Sequence, residues 1–146
     1  MRSVLFRLTS GTVSEVEACL SQSGCESLPG LPGRWNYPAG KDAILYIQCG
    51  PYSPDEDPDE QVAILRGTGG MTPTVALDID ISGRVPGDHE LRSMAELVLA
   101  RFGGLAFDDF MSFTHGWTID EIRANKSVQG LHFFDYREAH KVDEAG

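Results

Sequence analysis

The strongest constraint on the fold is a strand–helix–strand pattern over residues 74–109. Residues 75–81 (VALDIDI) alternate between large apolar side chains and small or acidic ones, which predicts a strand with one apolar and one polar face. Asp88 follows a proline and a glycine and is the expected N-cap of a helix. Apolar residues at spacings of three and four then mark one helix face, and two glycines end the helix. We expect this helix to pack on the apolar face of the strand.

Two further helix starts are marked by capping boxes, Thr12 with Glu15 and Thr118 with Glu121. Further strands are predicted over residues 3–9, 43–49, 61–66, 105–107 and 131–135. The resulting order, β-α-β-β-β-α-β-α-β, predicts an α+β fold: an antiparallel or mixed sheet with the helices on one face. Among the topologies with this order, we expect a ferredoxin-like core with an extra hairpin.

Length and charge limit the classes of function and partner that are expected for this chain. A chain of 146 residues is expected to form a single domain, with residues 137–146 as a frayed, charged tail. No apolar run is long enough to span a bilayer and no secretory signal is present, so a cytoplasmic location is expected. The net charge of −10 disfavours binding to nucleic acids or to anionic membranes. It favours a basic protein partner, although an acidic balance also simply keeps a protein soluble.

The cysteines favour neither a disulfide framework nor a zinc site. The chain has three cysteines, an odd number, and no two of them form a C-x-x-C pair: Cys19, Cys25 and Cys49. Cys19 and Cys49 fall in an expected helix and strand, where they are most simply small core residues. No cofactor is expected.

Residues 26–41 are rich in proline and glycine, and we expect no regular structure over most of them. Arg34, Trp35 and Tyr37 lie in the middle of this segment. The aromatic pair could tuck the segment against the core. Alternatively, all three could anchor a partner, because interfaces favour these residue types.

An acidic run follows the strand at 43–49. Asp55, Glu56, Asp57, Asp59 and Glu60 are interspersed with prolines and do not match an EF-hand loop. The run is either a solvated connection or a docking patch for a cationic surface.

Four aspartates offer a catalytic alternative. Asp78 and Asp80 lie on the polar side of their strand, and Asp108 and Asp109 follow the strand after the helix. If all four converged, they could bind a divalent metal and support hydrolysis. Otherwise they are solvated or turn residues.

Residues 75–134 resemble a group of small acidic bacterial proteins encoded beside secreted, polymorphic or contact-delivered toxins. The matching features are VALDIDISGR, the PGD helix start, the RFGG helix end, LAFDDF, WTIDEI and GLHFFD. The resemblance implies an immunity protein. It covers less than half of the chain and rests on residues that define a fold rather than a catalytic site.

The function that we expect from these observations is that of a non-catalytic immunity protein. Such a protein binds a cognate toxin, whose surface is basic, and masks the active site of the toxin. Its expected contacts are Arg34, Trp35, Tyr37 and the acidic run. Two alternatives remain open: a small metal-dependent hydrolase using the aspartates, and a homodimeric scaffold subunit that pairs an exposed strand edge.

Overall fold

The structure is a computed structural model, which describes residues 2–67, 72–108 and 113–135. The elements in chain order are β1 (Arg2–Leu8), α1 (Val13–Gln22), β2 (Glu26–Ser27), β3 (Arg34–Tyr37), β4 (Leu45–Pro51), α2 (Asp59–Gly67), β5 (Val75–Ile81), α3 (Asp88–Phe102), β6 (Gly104–Asp108) and α4 (Ile119–Arg123). A 3₁₀ turn, Pro54–Glu56, precedes α2.

The six strands form one sheet in the order β2-β3-β4-β5-β1-β6, and all neighbours are antiparallel. Within it, β1-α1-β4-β5-α3-β6 makes the split arrangement of a ferredoxin-like core, because β5 lies between β4 and β1. The hairpin β2–β3 extends the sheet beyond β4. The α+β prediction and the first topology are therefore confirmed.

One face of the sheet carries the main core. The apolar residues of β1, β4 and β5 alternate onto it and are covered by α1, α3 and α4, the three helices that the sequence predicts. Both predicted capping boxes are present, at Thr12 and Thr118. The N-cap of α3 is Gly87, at a φ of 79°, rather than Asp88. Asp88 is instead the first helical residue, where its charge still favours the helix N-terminus.

The strand predicted over residues 61–66 is wrong, because this segment belongs to α2. Its apolar run was too short to separate a strand from a helix by periodicity. The helix begins two residues earlier, with acidic residues in its first turn, and buries Gln61 and Leu65 at helical spacing. Leu65 packs with Leu105 and Phe107 of β6, on the sheet face opposite the main core. Helix α2 therefore covers only the β6 end of that face.

The strand predicted over residues 131–135 is also wrong. The segment turns, with Phe134 at a φ of 57°, and its only ladder contact among the described residues is an isolated bridge between Val128 and Leu131. Phe133 and Phe134 are nevertheless buried in the main core. The apolar residues of this segment correctly indicate burial, but the prediction interpreted them as a strand.

Residues 26–41 are more regular than expected, since they contain β2 and β3. The predicted tail at 137–146 lies outside the described residues. Among the helices that are described, none is long and apolar enough to cross a bilayer.

Candidate functional site

Among the described residues, none covers the face of the sheet away from the main core over β3, β4, β5 and the start of β1. Two adjacent hollows of about 370 and 290 Å³ lie there and share Gln48 and Asp78 in their linings. We call them together the polar groove. Its polar side chains include Ser3, Arg34, Tyr46, Gln48, Glu56, Asp78 and Asp80. The groove exists because the strands alternate, so the small and acidic residues of β5 face away from the core.

A buried arginine lies beside this groove. Arg7 is 1% exposed and projects from β1 toward the acidic run. Its Nε and Nη2 donate to the carboxylate of Asp57 at 2.9 and 2.7 Å, and Nη1 donates to Asp78 at 2.6 Å. The ring of Tyr52 lies 5.9 Å from the centre of the guanidinium. The arginine thus joins the acidic run to β1 and β5.

The cluster pairs one cation, Arg7, with the two carboxylates of Asp57 and Asp78. Burial alone would lower the pKa of Arg7, but its hydrogen bonds to Asp57 and Asp78 outweigh burial and raise that pKa. Burial, followed by the charge of Asp57, raises the pKa of Tyr52. Arg7 therefore stays charged and Tyr52 stays neutral near pH 7. The cluster is suited to holding structure rather than to exchanging protons.

The acidic run divides into two parts. The side chain of Asp57 has no exposed surface and is held by Arg7, so it cannot contact a partner as predicted. Asp55, Glu56, Asp59 and Glu60 are exposed. Glu56 lines the smaller hollow together with Asp78. The predicted contact surface is therefore left with four of its five carboxylates.

The predicted aromatic anchors are held largely in the interior. Trp35 is only 9% exposed, and its Nε1 donates to Glu17 of α1 at 2.7 Å. Tyr37 is half-buried against the main core. Arg34 is exposed and lines the polar groove. Because side chains of β3 alternate, Arg34 and Trp35 point to opposite faces, and the aromatic pair tucks the hairpin against the core.

The four aspartates of the metal hypothesis do not share one site. Asp78 and Asp80 face the polar groove, whereas Asp108 pairs in register with Val4, a main-core residue, and lies on the other face. An Asp108 oxygen accepts from the N–H of Phe134 at 3.1 Å. Asp109 lies outside the described residues. Within the described ranges, no group of three or more His, Cys, Asp or Glu residues could hold a metal ion.

The cysteines are buried and free. Burial, with a smaller effect from Cys19, raises the pKa of Cys25 to about 11. Burial, with a smaller effect from Glu17, raises the pKa of Cys49 to about 12. Neither of these two thiols is a thiolate near neutral pH, so neither has the character of a nucleophile.

Sequence reasoning missed Arg7, Tyr46 and Tyr52. A charged residue inside the apolar run of β1 was the available signal for Arg7. Its partner Asp57 is 50 positions away, which no local pattern reveals.

Comparison of the chain with protein-family models, with curated proteins and with solved structures finds no match. The resemblance to immunity proteins therefore stays a prediction.

Proposed function

We propose that this protein is an immunity protein that binds a cognate toxin through a basic surface of the toxin and covers its active site without catalysis. The observation that carries the proposal is that Glu56 of the acidic run and Asp78 of β5 line one hollow. Asp80 lines the adjoining hollow. The acidic run and the acidic side of β5 therefore form one continuous acidic surface on the open sheet face.

This surface is suited to a rigid docking role. Arg7 and Asp57 hold the acidic run against the sheet, so the exposed carboxylates stand on an ordered base. Ordered charges lose less conformational entropy on binding than a flexible loop would. The net charge of −10 adds a long-range field that attracts a basic partner. The proposed site of action is the cytoplasm of the producing cell.

The first experiment is to purify the tagged protein gently from its native host and identify a stoichiometric partner. We expect that partner to arrest growth when expressed alone and to be tolerated when this protein is expressed with it. A partner that is harmless by itself would contradict the proposal.

The second experiment measures association with that partner. Neutralising Asp55 and Glu56 (Asp55→Asn with Glu56→Gln) should slow association about tenfold at low salt and weaken its salt dependence. The matched control neutralises Asp42 and Asp88, which are exposed and line neither hollow. If both variants slow association equally, net charge alone acts and the docking surface lies elsewhere.

The two alternative functions have less support. The aspartates of the hydrolase hypothesis lie on opposite faces of the sheet where they are described. The scaffold hypothesis requires a free edge. Of the two edge strands, β2 offers only two residues for pairing, and β6 is already bridged at Ala106 by Trp117. Sedimentation of the purified protein tests this hypothesis, because it requires a dimer.

A further inference from the structure

We infer that the polar groove seats an arginine side chain of the partner protein, with the guanidinium between Asp80 and Tyr46. The inference rests on the proposed function and specifies which chemical group the acidic surface recognises.

Asp80 and Tyr46 are direct neighbours across β5 and β4. Side chains at such positions lie about 5 Å apart on one face of a sheet. Asp80 is exposed, and Tyr46 is 38% exposed, which is high for a large ring. On the other side of Asp80, Ser3 donates to its Oδ1 at 2.5 Å and so fixes the orientation of the carboxylate. The groove thus presents an oriented carboxylate beside an accessible aromatic ring.

The protein already holds one guanidinium in this manner. Arg7 lies between the carboxylates of Asp57 and Asp78, with the Tyr52 ring 5.9 Å from its centre. Asp78 keeps 48% of its side-chain surface exposed although one of its oxygens is bound to Arg7. Two residues from Asp78 along β5, Asp80 lies beside Tyr46 of β4. These two residues offer one carboxylate and one ring, without an internal arginine between them in the described structure.

The far wall of the groove limits which cation can enter. Arg34 lies on β3, two strands from β5 and in register with Asp78, so it is about 10 Å from Asp78 and further from Asp80. Its charge repels a run of basic residues lying across the groove but leaves room for one cation at β5. A guanidinium fits better than an ammonium, because it is planar and can stack on a ring while binding a carboxylate through two N–H groups. The occupant is therefore a single arginine, with hydrogen-bond acceptors or an acidic residue on its Arg34 side.

The first test needs no partner. ¹⁵N-labelled protein is titrated with N-acetyl-arginine amide at millimolar concentration, and N-acetyl-citrulline amide serves as the neutral probe of equal shape. We expect the arginine probe alone to shift the amide signals of Ser3, Tyr46 and Asp80. Equal shifts with citrulline, or shifts centred on residues 55–60, would overturn the inference.

Substitutions then locate the site. Asp80→Asn keeps an acceptor for Ser3 and should weaken probe binding at least about fivefold through the lost charge. Tyr46→Phe should retain binding and Tyr46→Leu should reduce it, because the ring supplies the contact. Asp42→Asn is the control of equal charge. The spectra themselves report whether each variant is folded, and unchanged binding in Asp80→Asn contradicts the site.

Measuring how the partner identified above binds the Asp80→Asn variant tests this inference separately from the proposed function. Asp80→Asn should raise the Kd for the toxin about tenfold, mainly through faster dissociation, while leaving the salt dependence of association nearly unchanged. If the toxin binds Asp80→Asn with unchanged Kd, the groove inference is wrong and the immunity function stands. If the arginine probe binds but no toxic partner exists, the immunity function is wrong, and so is the assignment of the groove to a toxin.

Discussion

At the scale of single residues, Arg7 has the greatest effect on the surface that we propose to be functional. It is 1% exposed, and its guanidinium binds two carboxylates and the carbonyl oxygen of Phe6. Buried charges are costly in free energy unless they are paired. The pair of Arg7 and Asp57 also fixes the position of the acidic run. The same contacts therefore serve stability and the shape of the polar groove.

Replacing Arg7 with methionine should lower the free energy of unfolding by about 3–5 kcal/mol, because Asp57 would remain buried without a counter-charge. The double variant Arg7→Met with Asp57→Leu should recover most of that loss, since both charges are then removed. Urea denaturation measures the free energy of unfolding of the single and the double variant. A double variant no more stable than Arg7→Met would show that the pair contributes more than charge compensation.

The buried thiols predict a loss of stability in alkaline solution. The folded protein keeps the protons of Cys25 and Cys49 up to pKa values of about 11 and about 12. The unfolded chain releases thiol protons near pH 8.5, so above that pH the unfolded state binds fewer protons and stability falls.

Between about pH 8 and about pH 10, each of these thiols should reduce the free energy of unfolding by roughly 2 kcal/mol. The variant Cys25→Ala with Cys49→Ala should lose less stability over the same interval, which urea denaturation at the two pH values can measure. Equal losses in both proteins would assign the alkaline effect to other groups.

At the scale of elements, the β1–β6 pair depends on a close approach that only glycine permits. Gly104 has a φ of 119°, and a Cβ at this position would overlap the carbonyl oxygen of Arg7. The sequence suggested only that this glycine helps to end α3. Its actual role is to let β6 lie against β1, next to the residue that anchors the acidic run.

Gly104→Ala should therefore lower the free energy of unfolding by more than about 2 kcal/mol, from backbone strain and steric overlap together. Gly50→Ala in β4 is the matched control, because its Cβ would meet nothing within 4 Å and its φ is not positive. Thermal or urea unfolding distinguishes the two. Equal stability of the two variants would contradict the assigned close approach.

At the scale of the whole molecule, the acidic excess has two opposite consequences. It attracts a basic partner, and it also makes the folded chain repel itself. The exposed carboxylates of the acidic run concentrate this repulsion at the start of α2. Salt should relieve it, because exposed charges are screened, whereas the buried pair of Arg7 and Asp57 is screened much less.

Raising sodium chloride from about 20 to about 200 mM should therefore raise the Tm by several degrees, since the Debye length shrinks from about 20 Å to about 7 Å and most exposed charges no longer interact. Potassium chloride should have the same effect if the cause is screening rather than a specific ion. An unchanged Tm in both salts would mean that self-repulsion does not limit the stability of this fold.

The sequence by itself determined the elements whose signals are local. The alternation of β5, the apolar face of α3 and the capping boxes of α1 and α4 each lie within a few residues, and the structure contains all four elements. The predicted order contained two strands that do not form, at residues 61–66 and 131–135, and lacked β2 and β3. The elements of the ferredoxin-like core were nevertheless all in it, in the right sequence.

The tertiary structure alone decided the features that depend on distant residues. The short apolar run of α2 became a helix because it packs on β6 across the far face of the sheet. Asp57 became a buried counter-charge because Arg7, 50 positions away, lies beneath it. Asp78 and Asp108 were placed on opposite faces by strand register. Strand pairing, register and the burial of a charged pair arise between segments far apart in the chain, so local patterns of charge and hydrophobicity do not encode them.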